Sequence, residues 1–101
     1  MPNQAALREI IVKELKLQGI APAEQDKIIA RLGELIMKAI MIAIFSKLPV
    51  STKPEYERIQ AEGSEEKMNT FFEKHIPNFE ELVTEEIKRT IGEYKRLVST
   101  A

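Results

Sequence analysis

Cysteine and tryptophan are absent from this chain of 101 residues, and histidine occurs once. Without cysteine the protein can form no disulfide, hold no metal ion through thiolates and use no cysteine nucleophile. This absence fits a reducing compartment, and we expect a cytoplasmic location. Asn-Gly and Asp-Gly turns and alternating apolar and polar runs are missing too, so the sequence predicts no β-hairpin.

Motifs with catalytic or ligand-binding spacing are also missing. The sequence contains no glycine-rich phosphate loop, no zinc spacing and no nucleophile elbow. The residue three positions before His75 is Phe72, so the Glu-x-x-His signature of helical di-iron proteins is absent. His75 is best explained as a cation-capable side chain near the C-terminus of a helix. We therefore expect no enzyme activity, no cofactor, no metal ion and no small-molecule substrate.

Charge of one sign is scarce, since fifteen basic and sixteen acidic residues give a net charge of −1. No strong overall field therefore attracts nucleic acid or anionic lipid. The best basic cluster consists of Lys88, Arg89, Lys95 and Arg96 in the last predicted helix, where glutamates are interspersed. That pattern is typical of a solvated, salt-bridged face. It leaves nucleic-acid association through these four residues as the alternative function.

Long hydrophobic runs are absent as well. The most apolar window, residues 28–48, is interrupted by Arg31, Glu34, Lys38 and Lys47. Because a bilayer span needs about 20 mostly apolar residues, the window predicts no membrane span. The first fifteen residues lack the basic flank and apolar run of a secretion signal. A role at a membrane surface is a more distant alternative.

Helical spacing of apolar residues is the dominant pattern that the sequence does contain. It predicts an all-α single domain over residues 1–101, built as a compact bundle of about five helices. The second helix, from about Pro22 to Lys47, is predicted to be central and wrapped by the others. Two later helices are predicted at about Lys53–Glu62 and about Phe79–Val98.

Capping residues predict where these helices begin and end. Asn3 is expected to cap the first helix, and Ser64 the fourth. Thr52 with Glu55, and Asn78 with Glu81, match capping-box spacing at the third and last helices. Gly19 is expected to supply the left-handed turn that ends the first helix.

The central helix carries two apolar lines, Ile36, Ile40 and Ile44 in one, and Met37, Met41 and Phe45 in the other. In a chain this small, the four other helices have little surface with which to cover both lines, and an uncovered line would form an interaction site. We therefore expect a protein–protein interaction module that self-associates through Met37, Met41 and Phe45. The alternative is that the other helices cover both lines within one chain.

The order of these signals resembles a known type of protein. It runs from APAEQDKII through a long apolar helix ending in KLP to GSEEKMNTFFEKHIPN and a final helix of mixed charge. Over about residues 20–98 this order is similar to small helical domain-of-unknown-function proteins of candidate-phyla bacteria. The resemblance implies a cytoplasmic helical module and supplies no catalytic or binding residue.

Overall fold

The computed structural model describes residues 4–100, and the side chains of residues 5–97. Within that range every regular element is a helix, so the predicted all-α fold class is confirmed. The five α-helices are α1 (Gln4–Leu15), α2 (Pro22–Lys47), α3 (Lys53–Glu62), α4 (Glu65–His75) and α5 (Phe79–Thr100). Two 3₁₀ turns, Leu17–Gly19 and Val50–Thr52, flank α2.

Helix α5 packs along α2 and runs antiparallel to it. Ser46 and Glu81 line one groove near the C-terminal end of α2, whereas Ile28 and Tyr94 line another near its N-terminal end. Helix α1 also packs against α2, and α3 and α4 form a neighbouring pair. The long central helix predicted from the sequence is therefore present, with α5 as its main neighbour.

The core is one continuous cluster of buried apolar side chains. Four residues of α2 contribute side chains with no exposed surface: Leu32, Ile36, Ile40 and Ile44. Their spacing of four residues keeps them on adjoining parts of one helix side, towards α1 and α5. The Ile36, Ile40 and Ile44 line is thus covered within the chain.

Aromatic rings join the end of α2 and the start of α5 to α3 and α4. Phe45 and Tyr56 pack edge to face, and their ring centroids are 5.1 Å apart. Phe72 lies 6.3 Å from Tyr56 and 5.4 Å from Phe79, the first residue of α5. Such ring pairs add stabilisation beyond the apolar area that they bury. Tyr56 therefore joins α3 to the C-terminal end of α2, and Phe72 joins α4 to α3 and to the start of α5.

The molecule is elongated, with principal extents of 46 × 25 × 18 Å and a radius of gyration of 15.4 Å. A compact domain of this length has a radius of gyration of about 13 Å. Because a helix with side chains is about 10–12 Å wide, the shortest extent leaves room for about two layers. The central helix α2 packs against α5 and α1, and its Leu35, Ile42 and Phe45 side chains stay exposed.

The end of α1 differs from the prediction. Lys16, with φ 55° and ψ 52°, takes the left-handed conformation that the sequence assigned to Gly19. Turning the chain at Lys16 brings Leu17 into the core, where it is 4% exposed. Gln25 then donates a hydrogen bond to the Leu17 carbonyl oxygen over 2.8 Å. Burial of Leu17 therefore outweighs the usual preference for glycine at this position.

Of the predicted caps, only that of α4 has the expected geometry in the described residues. The Ser64 hydroxyl accepts a hydrogen bond from the Lys67 backbone N–H at 3.2 Å. Thr52 occupies the N-cap position of α3, but its hydroxyl donates to the Pro49 carbonyl oxygen over 2.6 Å and accepts no hydrogen bond from the helix. Asn78 has φ 57° rather than the extended backbone of a cap, because the chain reverses there between α4 and α5. The predicted cap Asn3 lies outside the described residues.

Candidate functional site

One side of α2 carries large apolar side chains that the rest of the chain leaves exposed. Leu35 is 44% exposed, Ile42 71% and Phe45 50%. Lys38 lies between them, and its side chain is 66% exposed. We call Leu35, Lys38, Ile42 and Phe45 the α2 stripe.

The spacing of the α2 stripe keeps its members on the same side of the helix. Successive members are three, four and three residues apart, which averages close to the 3.5-residue period of helices that pair side by side. Lys38 forms an ion pair with Glu34 over 3.5 Å, and both side chains are well exposed. Such a pair stabilises the helix by only about 0.3–0.5 kcal/mol. The α2 stripe therefore presents three apolar side chains around one weakly held cation.

A groove between α2 and α5 adjoins the α2 stripe. Its volume is about 810 Å³, and Ile42, Ala39 and Ala43 form the α2 side. Glu81 and Glu85 of α5 line the opposite side, one helical turn apart. Both glutamates are exposed. Lys47 and Arg89 also line the groove, and Arg89 pairs with Glu86. We call this feature the α2–α5 groove; it combines an apolar wall with an acidic edge formed by the two glutamates.

The predicted interface residues Met37, Met41 and Phe45 lie in different surroundings. Met37 and Met41 are partly buried and pack against the core, whereas Phe45 is half-exposed. A spacing of four residues advances about 40° around the helix at each step, so this line turns from the covered side towards the exposed one. The interface formed by these three residues stays a prediction, and Phe45 is the member that it shares with the α2 stripe.

Leu35 and Ile42 are surface residues that the sequence reasoning missed. Between Glu34 and Lys47, Lys38 is the only charged residue, and it marks the solvent side of an otherwise apolar helix. Residues three or four positions from Lys38 share its side of the helix, and those residues include Leu35 and Ile42. The position of the lone charge was therefore the signal that could have identified them.

His75 lies at the C-terminal end of α4, as expected, and its ring centroid is 4.8 Å from that of Phe71. Its buried Nε2 atom is 3.6 Å from an oxygen of the Glu55 carboxylate, which is beyond hydrogen-bond distance. Among the described residues, no three histidine or acidic side chains are grouped so that they could hold a metal ion. This arrangement identifies no nucleophile for His75 to activate.

The basic residues of the alternative function all lie on exposed positions of α5. Arg89 forms an ion pair with Glu86, one turn earlier on the same helix. Lys95 lies 3.6 Å from the Glu14 carboxylate of α1. These carboxylates offset part of the positive charge that a phosphate backbone would contact. Nucleic-acid association through Lys88, Arg89, Lys95 and Arg96 stays a prediction.

In the part of the chain that the structure describes, no helix is both long enough and apolar enough to cross a membrane. Comparison with curated proteins and with solved structures gave no match. A protein-family model described as "Protein of unknown function (DUF5663)" matches residues 11–94, which include the α2 stripe and the α2–α5 groove. Because this match covers most of the chain, the protein belongs to the DUF5663 family.

Proposed function

We propose that this protein is a non-enzymatic helical interaction module that binds a second copy of itself through the α2 stripe. The observation that supports the proposal is the exposure of Leu35, Ile42 and Phe45 on one side of the most apolar helix. Grouped exposed apolar side chains on a small protein are characteristic of interaction sites.

A second copy of this chain suits the α2 stripe for two reasons. The α2 stripe has a heptad-like spacing, and two helices with that spacing can pack side by side along their length. A net charge of −1 also leaves little overall repulsion between two copies. A two-fold interface in which the same surface meets itself is the commonest way for soluble proteins to associate.

The location and source form a further part of the proposal. We propose a cytoplasmic protein of candidate-phyla bacteria, on the basis of the sequence resemblance and the absence of cysteine. A different protein is the second kind of partner that we propose for the α2 stripe. A monomer exposes the same apolar side chains to a second copy and to another protein.

Light scattering coupled to size exclusion tests the proposed function. At about 100 μM, well above the dissociation constant of a specific interface, we expect the wild-type chain to have the mass of two copies. Ile42→Lys introduces a charge in the middle of the α2 stripe and should give a folded monomer. The matched control is Leu97→Lys on α5, where leucine is 67% exposed. Tyr94, three residues earlier, lines a groove with Ile28, at the opposite end of α2 from Ile42. A wild-type mass of one chain would contradict the proposal.

A further inference from the structure

We infer that the second copy binds antiparallel along α2, and that Lys38 of each copy pairs with Glu81 or Glu85 at the α2–α5 groove of the other copy. This inference rests on the proposed self-association. It adds an orientation, a register and a pair of reciprocal ionic contacts that fix both.

The register follows from the spacing of the α2 stripe. The intervals of three, four and three residues read the same in both directions along the helix. An antiparallel copy can therefore align all four members, with Leu35 opposite Phe45 of the second copy and Lys38 opposite Ile42 of the second copy. Alternating intervals of this kind are what allow side chains of one helix to fit between those of its neighbour.

The charges favour this orientation over a parallel one. A parallel pair in register would place the two Lys38 ammonium groups side by side at the interface, where like charges repel. In the antiparallel pair, each Lys38 lies over Ile42 of the other copy, which separates the two ammonium groups along the helix by about 6 Å at 1.5 Å per residue. A single cation within an apolar helix pair is a recognised determinant of register.

The α2–α5 groove provides a partner for the lysine in this arrangement. Ile42 lines the groove together with Glu81 and Glu85, so a lysine that covers Ile42 lies next to those carboxylates. Within residues 5–97, neither carboxylate forms an ion pair, and both are exposed. The only contact that competes for Lys38 in the same range is its exposed pair with Glu34. Lys38 of each copy therefore contacts the acidic edge of the other copy, and a two-fold axis relates the two contacts.

The position of α3 supports the same orientation. Tyr56 of α3 packs against the ring of Phe45 at the C-terminal end of the α2 stripe. In a parallel pair both α3 helices would come together at that end. In the antiparallel pair, α3 of each copy lies beside the end of the α2 stripe that contains Leu35 of the other copy.

Charge reversal tests the ion pair, with the dissociation constant of the dimer measured by sedimentation equilibrium at low salt. Lys38→Glu, Glu81→Lys and Glu85→Lys are compared singly and in the two combinations that pair the lysine change with one glutamate change. We expect Lys38→Glu to raise the dissociation constant about tenfold, through two lost contacts and new repulsion. One of the combinations should restore it to within about threefold. Lys13→Glu on α1 is the control, because it changes the net charge equally at a site outside the α2 stripe.

Disulfide cross-linking tests the register independently, and the native chain offers no cysteine that could interfere. Leu35→Cys and Phe45→Cys are oxidised separately and as a mixture. Bridged cysteines need Cα atoms about 4.4–6.8 Å apart, so the antiparallel register predicts a cross-linked dimer only from the mixture. In a parallel pair each variant would cross-link with itself.

These measurements separate the inference from the function on which it rests. If wild type is a monomer, both are wrong. If wild type is a dimer, the inference is overturned when the single variants cross-link with themselves or when neither charge combination recovers affinity. The proposed self-association would stand in that case.

Discussion

Ile40 and Ile42 are two positions apart on α2 and have opposite surroundings. Ile40 has no exposed surface, whereas Ile42 is 71% exposed. Two residues on a helix point about 200° apart, so chemically identical side chains can serve the core and the surface within one turn. The many apolar residues of α2 therefore show that it belongs to the core. The hydrophobicity of a single residue does not show whether that residue lies on the covered or the exposed side.

This contrast gives the first prediction. Ile40→Asp should prevent folding, because a carboxylate without a partner at a fully buried position costs several kcal/mol of a total stability of about 5–15 kcal/mol. Ile42→Asp, the matched control, should keep a helical far-ultraviolet circular dichroism spectrum and a cooperative melt. Wild-type melting of Ile40→Asp would mean that the core side of α2 has been wrongly assigned.

At the scale of the element, most helix positions followed from apolar spacing and from proline and glycine. The bounds of α2 and α3 agree with the sequence prediction, because Pro22 begins α2, Pro49 follows its end and Gly63 follows the end of α3. The details of the helix ends could not be predicted in the same way. Lys16 and Asn78 take left-handed conformations because burial of Leu17 and reversal of the chain before α5 require them.

The two kinds of helix end give the second prediction. Lys16→Gly should stabilise the protein by about 0.5–1 kcal/mol, since glycine adopts φ 55° without the steric cost borne by an exposed lysine. Gly63→Ala, at φ 72°, should cost about 1–2 kcal/mol for the same reason. Beyond the two neighbouring residues, no heavy atom lies within 4 Å of an added Cβ at Gly63, so the cost arises from the backbone conformation. Urea denaturation midpoints measure both changes.

Lys13→Gly is the matched control for this pair. Lys13 is an exposed lysine within α1, so its replacement by glycine should lower stability by about 1 kcal/mol, the opposite sign from Lys16→Gly. If Lys16→Gly lowered the urea midpoint as Lys13→Gly is expected to do, the left-handed conformation assigned to Lys16 would be incorrect.

At the scale of the whole molecule, the two-layer shape determines what the candidate site can be. The sequence indicated that α2 has more apolar surface than its neighbours can cover, which is correct for Leu35, Ile42 and Phe45. It could not show which line is left over, because that depends on where α5 and α3 lie around α2. The sequence predicted an interface of Met37, Met41 and Phe45, and that interface stays a prediction. The core partly covers Met37 and Met41, whereas Leu35 and Ile42 are exposed.

Self-association gives the prediction that belongs to this scale. If folding and pairing are linked, the melting temperature of wild type should rise by about 5 °C or more over a hundredfold increase in protein concentration. Ile42→Lys should melt at a temperature independent of concentration, and Leu97→Lys should behave like wild type. Differential scanning calorimetry over that range makes the comparison. If the melting temperature of wild type did not change with protein concentration, unfolding would not be linked to dissociation of a dimer.

The antiparallel packing of α5 on α2 also has a consequence in time. The ribosome makes α2 before α5, so the buried isoleucines of α2 leave the ribosome with α1 available and their main cover still unmade. At about 5–20 residues per second, the roughly 50 residues between the two helices' ends take several seconds to synthesise. During that interval the side of α2 that α5 covers and the α2 stripe are both apolar and exposed, and we expect chaperones to bind such a nascent chain. Helix α5, which is made after α2, is therefore the one that ends this exposure.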